Sequence, residues 1–123
     1  MAARFEFLTP GRVVFGAGAL DEVGAATRGL GRSALVVRGR SAARVAQLDD
    51  LLTRAGVAAT PFVVAGEPDT ALVTRGATIA RATGVDVVVG IGGGSVIDAA
   101  KAVAALATND GDVLEYLEVV GRG

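Results

Sequence analysis

Val85-Asp86-Val87-Val88-Val89-Gly90-Ile91-Gly92-Gly93-Gly94-Ser95-Val96-Ile97-Asp98-Ala99-Ala100-Lys101 passes from a β-branched run, through a glycine loop, into an alanine-rich helix. The run at 86–91 reads as a strand buried on both faces, as in a parallel sheet. Glycines let a backbone come close to an anion, and a helix start presents free N–H groups to it. Strand, glycines and helix in that order build a phosphate site. A tight strand–helix turn with no ligand is the competing reading. Three consecutive glycines weigh against it, because their freedom in the unfolded chain destabilises a mere turn.

The rest of the chain repeats the alternation of strand and helix. Upstream, 33–38 carries the strand core Ala34-Leu35-Val36-Val37, and Ser41 is placed to cap a helix running to Arg54. Residues 57–65 hold a further strand, after which Asp69 starts a helix over 70–83 that Gly84 stops. A helix near 19–28 is expected to end at Gly29 and Gly31. Residues 5–8 and 12–15 flank Thr9-Pro10-Gly11 and read as a β-hairpin or paired edge strands. A short helical turn is expected near 112–118. The pattern predicts an α/β, Rossmann-like parallel sheet with flanking helices and an N-terminal β-hairpin. Its core strands are expected at 34–38, 61–64 and 87–91. All of residues 1–123 form one dinucleotide-binding domain in this reading.

Composition narrows the chemistry. With 123 residues, one domain and a sizeable core are feasible. Aromatics are only 4 % against 51 % hydrophobic residues, so Val, Ala and Leu must build that core. Twelve basic and 13 acidic side chains leave a net charge of −1 with no basic stripe, which argues against nucleic acid as a partner. No apolar run approaches the ~20 residues of a membrane span. The start Met1-Ala2-Ala3-Arg4-Phe5-Glu6 lacks the apolar core of a signal peptide. A cytoplasmic location is the resulting expectation. The chain has no histidine and no cysteine, which removes thiolate chemistry and the commonest metal ligands.

Around the glycine loop, Ser95 and Asp98 have the spacing of a capping box, with Ser95 as cap. The alternative for Asp98 is that it faces a ligand. Lys101 is expected to pair with Asp98 along the helix. The loop is not a strict dinucleotide fingerprint, since its sixth residue is Ser95, and no Walker lysine ends it. Arg38-Gly39-Arg40 follows a strand at a point where many dinucleotide folds place an acid for the adenosine ribose. Here Gly39 takes that place between two cations. One reading is a solvated turn with two surface cations; the other favours NADP over NAD, with Arg38 and Arg40 neutralising a 2′-phosphate. The pyrophosphate is expected across residues 92–95 and adenosine near Gly39. Asp110, Asp112, Glu115 and Glu118 read as a solvated face rather than a metal site.

Gly92-Gly93-Gly94-Ser95-Val96-Ile97-Asp98-Ala99-Ala100-Lys101, with Arg12-Val13-Val14-Phe15-Gly16-Ala17-Gly18, Ala34-Leu35-Val36-Val37 and Glu67-Pro68-Asp69, resembles the N-terminal domain of the iron-containing (group III) alcohol dehydrogenases, which include maleylacetate reductases. The resemblance implies that Gly92, Gly93, Gly94 and Ser95 hold a pyrophosphate, that Asp98 lies toward the nicotinamide half, and that Gly39 borders the adenosine. It places 67–69 on the adenine side. It also implies NADP or NAD as cofactor. Fe or Zn would belong to the parent enzyme only, held by a helical C-terminal domain that this sequence does not include. Family members pair through their N-terminal strands, so a homodimer through 5–15 is expected.

Three functions follow as expectations. One is the NAD(P)-binding portion of a metal-dependent alcohol dehydrogenase, whose parent moves hydride between nicotinamide and an alcohol or aldehyde. The second is the same portion of a maleylacetate reductase. The third is a stand-alone nucleotide-binding module without catalysis, which the lack of histidine favours. The isolated chain is expected to have no catalytic residues and no turnover.

Overall fold

The computed structural model describes residues 16–109. The expected hairpin and the turn near 112–118 lie outside the described residues. After a 3-10 turn at Ala19–Glu22 come α1 (Val23–Leu30), β1 (Ser33–Arg38), α2 (Ala42–Arg54), β2 (Ala58–Val63), α3 (Thr70–Thr83), β3 (Val87–Ile91) and α4 (Gly94–Thr108). The three strands form one parallel sheet in the order β2-β1-β3. This is the expected Rossmann-like α/β arrangement.

Local chemistry accounts for most boundaries. Asp69 caps α3, its Oδ1 accepting the Leu72 N–H at 2.8 Å, and Gly84 ends that helix with φ 64°. Gly29 does not stop α1, which runs on to Leu30 and ends at Gly31. Arg81, in the last turn of α3, donates to the carbonyls of Leu106, Ala107 and Asn109. Those are carbonyls at the end of α4, which has no basic residue of its own in its last turn.

Helices cover both faces of the sheet. Leu35 and Val37 point toward α3 and α4, where they meet Val73, Ala77, Ala99 and Val103. Ala34 and Val36 point the other way, against Leu48 and Leu52 of α2. Each buried leucine of this kind contributes roughly 1.5–3 kcal/mol. The two faces follow from connectivity. The β1–α2–β2 and β2–α3–β3 crossovers move in opposite directions across the sheet, so connections of one hand place α2 and α3 on opposite sides.

The strand at 86–91 departs from its expected burial on both faces. Val87, Val88, Val89 and Ile91 are half-buried, and Gly90 is exposed. Among the described residues β3 pairs with β1 alone and is an edge of the sheet. The strand enclosed on all sides is β1, with Ala34, Leu35, Val36 and Val37 at 0–1 % exposure. A β-branched run signals a strand but does not fix its place in the strand order. Asp86 does not continue the strand either. Its carboxylate accepts the backbone N–H groups of Arg32 and Ser33 at 2.9 and 3.3 Å, tying the start of β3 to the start of β1. No helix among the described residues is long and apolar enough to cross a membrane.

Candidate functional site

Arg38, Val63 and Ile91 are in register at the ends of the three strands, so the loops that follow open on one edge of the sheet. From β1 the chain turns into α2 on one face, and from β3 into α4 on the other. Between those two loops the connections diverge. In open α/β sheets that divergence leaves a crevice where ligands bind. The crevice is present here. It encloses about 430 Å³ and is lined by Gly39, Ser41, Arg44, Val45, Ile91, Gly92 and Gly93.

The three loop glycines differ in what holds them. Gly92 has φ 154°, and a Cβ there would meet the Val96 side chain at 2.8 Å, so the fold itself requires glycine. Gly93 has φ −81°, and a Cβ on it would have nothing within 4 Å. The same space surrounds a Cβ built on Gly94. Neither internal packing nor backbone conformation requires glycine at 93 or 94. At Gly39 a Cβ would make only an ordinary contact, 3.7 Å from Val96 Cγ2.

Gly93 is the N-cap of α4, and no side chain caps this helix. The Ile97 N–H is the first to bond back into the turn, to Gly93 O at 3.1 Å. The N–H groups of 94, 95 and 96 precede it and present a partial positive charge at the helix start.

The expected capping box does not form. Ser95 is the second residue of α4 rather than its cap, and its Oγ donates to Glu67 Oε1 at 3.0 Å. Asp98 is exposed on α4, and among the described residues it makes no salt bridge with Lys101. Lys101 instead borders a hollow along β3 with Val88, Gly90 and Ile97. The structure thus brings Gly39, Gly92 and Gly93 around one crevice. Gly94 and Ser95 stand at its edge on the helix start, and Asp98 lies one turn further along α4.

The basic residues are distributed differently from expectation. Arg38 leaves β1 toward α2 and lines a separate hollow with Asp49, Thr53 and Pro61; its Nε is buried without a hydrogen-bond partner. Strand alternation explains this, since Arg38 shares the face of Ala34 and Val36. Arg40 does not line the crevice. Arg44 does, and the reading of the sequence did not single it out. Its signal was available: it is the third residue of a helix that begins directly after the Gly39 loop, and first-turn side chains lean back toward the helix start.

The described residues do not fit an iron ion. The sequence has no histidine or cysteine, and among the described residues no three His, Cys, Asp or Glu side chains come together.

Comparison with known proteins agrees with this architecture. A family model described as iron-containing alcohol dehydrogenase matches residues 10–123. The chain is 33 % identical over 120 residues to a probable NADH-dependent butanol dehydrogenase 1 of Bacillus subtilis, covering 92 % of this chain and 30 % of that protein. It is 30 % identical over 120 residues to a sulfoacetaldehyde reductase of Bilophila wadsworthia, covering 94 % and 31 %. Among solved structures, a 1,3-propanediol oxidoreductase superposes with TM-score 0.85 at 30 % identity, covering 93 % of this chain and 31 % of that one. NADH-dependent butanol dehydrogenase A of Thermotoga maritima superposes with TM-score 0.80 at 32 % identity, covering 91 % and 30 %. The chain spans about a third of the length of these relatives. The strand order, the glycine loop at the head of α4 and the match over residues 10–123 together place the chain in the iron-containing alcohol dehydrogenase family.

Proposed function

We propose that this chain is the dinucleotide-holding portion of an NAD(P)-dependent alcohol dehydrogenase of the iron type. The observation that carries the reading is the pair Gly93 and Gly94. The chain has room for a side chain at both positions, yet both are glycine, beside three helix-start N–H groups that no side chain caps. A pyrophosphate resting on this loop gives that bareness a purpose, because any Cβ would stand between the phosphate and the backbone donors.

In this reading Gly92 shapes the turn, Gly93 and Gly94 admit the pyrophosphate, and Ser95 borders it. The adenosine lies in the crevice toward Gly39, and Asp98 stands on the nicotinamide side. When bound, the nicotinamide supplies or accepts the hydride. In this reading the described residues bind and orient the dinucleotide. Hydride transfer to an aldehyde, or from an alcohol, is proposed for a longer protein of which this sequence would form the nucleotide-binding part. Pairing of two copies through residues 5–15 accompanies the proposal, and sedimentation of the full chain beside a chain lacking residues 1–15 tests it.

The test of the main reading is calorimetric titration of the chain with NAD and NADP. Binding of either one that is lost in Gly93→Val supports the assignment. No binding of either, or binding indifferent to Gly93→Val, overturns it.

A further inference from the structure

We infer that Arg44 makes the crevice selective for a 2′-phosphorylated dinucleotide, NADP, by receiving the 2′-phosphate of the adenosine ribose. The inference rests on the dinucleotide reading above and adds to it the identity of the ligand and the residue that selects it.

Four observations carry it. First, Arg44 is the one charged side chain among the residues lining the crevice, whose other walls are Gly39, Ser41, Val45, Ile91, Gly92 and Gly93. Second, no carboxylate lines that crevice, and Gly39 occupies the turn after β1. An acid near such a turn accepts the ribose 2′-hydroxyl in NAD-selective folds, and an arginine nearby accommodates the 2′-phosphate in NADP-selective ones. Third, Arg44 is not committed elsewhere: among the described residues it makes no salt bridge or side-chain hydrogen bond, whereas Arg54 on the same helix is paired with Asp50 at 3.0 Å. Fourth, of the two cations flanking Gly39, Arg38 lines the hollow beside β2, next to Asp49, and Arg40 is not among the residues lining the crevice. Ser41, the N-cap of α2, makes no capping hydrogen bond, which leaves its hydroxyl available beside Arg44. The volume, about 430 Å³, suits the adenosine half of a dinucleotide.

The charge arithmetic sets the size of the effect. A 2′-phosphate adds close to two negative charges, and Arg44 is solvent-exposed, so the gain is that of a surface ion pair rather than a buried one. About fivefold tighter binding of NADP than NAD is expected at low ionic strength. Added salt should shrink the difference, since the pair is open to screening.

The experiment titrates the full chain with NADP, NAD, 2′,5′-ADP and 5′-ADP at two salt concentrations. It compares the native chain with Arg44→Gln, Arg44→Lys, Arg40→Gln and Arg54→Gln, with thermal melts on each. The expected result is a preference for the 2′-phosphorylated member of each pair. Arg44→Gln should abolish that preference, weakening NADP and 2′,5′-ADP more than NAD and 5′-ADP. Arg44→Lys should restore part of it, and Arg54→Gln, which removes the same charge from the far end of α2, should leave it intact. NAD binding equal to or tighter than NADP binding overturns the inference while leaving the dinucleotide reading in place. So does a preference that survives Arg44→Gln and disappears in Arg40→Gln. Absence of binding by all four nucleotides overturns both.

Discussion

The Ser95 hydroxyl donates a hydrogen bond of 3.0 Å to Glu67, which brings a carboxylate from the loop after β2 to the first turn of α4. The two residues are 28 positions apart. Their contact sets a negative charge beside the helix start proposed to receive pyrophosphate. Glu67 therefore opposes an incoming anion and also occupies a donor that a phosphate oxygen would use. Glu67→Gln keeps an acceptor for Ser95 and removes the charge. It is expected to tighten binding of both NAD and NADP by about two- to fivefold at low salt, with the gain fading as salt rises. Unchanged or weaker binding in calorimetric titration would show that Glu67 assists the ligand instead.

Adjacent glycines in the loop should respond to substitution in opposite ways. Gly92→Ala forces a Cβ against Val96 from a backbone with φ 154°. It is expected to lower stability by about 1–3 kcal/mol, through strain and overpacking. Gly93→Val meets open space, so its stability change should stay within about 1 kcal/mol, the scale of an N-cap preference. Its loss should appear in dinucleotide binding. Chemical denaturation of both variants separates the two roles; equal destabilisation would mean that Gly93 is structural after all.

How far the sequence carried the architecture depended on the range of the interaction. The bounds of β1 at Ser33–Arg38 and of α3 at Thr70–Thr83 were legible, because an apolar run, an Asp69 cap and a Gly84 stop act within a few residues. The glycine loop was legible for the same reason. The edge position of β3, the Asp86 tie across 53 residues to Ser33 and the Glu67–Ser95 contact arise only when the crossovers bring distant segments together. Ser95 illustrates the competition. Its local pattern offered a capping role, and a carboxylate delivered by the β2–α3 loop took the hydroxyl. Arg38 was expected at the 2′-phosphate because it adjoins Gly39 in sequence, whereas the pleat of β1 turns it toward α2.

Packing between α3 and α4 depends on a missing side chain. A Cβ on Gly76 would lie 2.7 Å from Val103 Cγ2 and 3.1 Å from the Phe62 ring. Phe62 is further held by Arg75, whose guanidinium carbon lies 5.7 Å from the ring centroid. Alanine is the better helix former by up to ~1 kcal/mol, which opposes the packing loss. Overpacking of a filled core costs roughly 1–3 kcal/mol and should dominate, since Val103 and Phe62 are both buried with little room to move. Gly76→Ala is thus expected to destabilise by about 1 kcal/mol. A higher melting temperature would show that α4 shifts without loss.

Acid should loosen the sheet at its end far from the crevice. The Asp86 carboxyl is held below the usual carboxylate range, first by the Arg32 backbone N–H and then by that of Ser33, with the Ser33 hydroxyl adding to them. Because the folded value lies below the unfolded one of about 3.9, Asp86 stabilises the fold in full above that pH. Its contribution falls away as the pH drops through the folded value, where the carboxyl takes up a proton. Asp86→Asn should therefore lower stability at neutral pH and flatten the decline below about pH 4. Because Asp86 bonds at the starts of β1 and β3, and the crevice opens at their ends, the same change should leave dinucleotide affinity intact. Denaturant melts between pH 2.5 and 7, run on both proteins, test the tie. Parallel pH profiles would mean that Asp86 has no energetic role in holding β3 to β1.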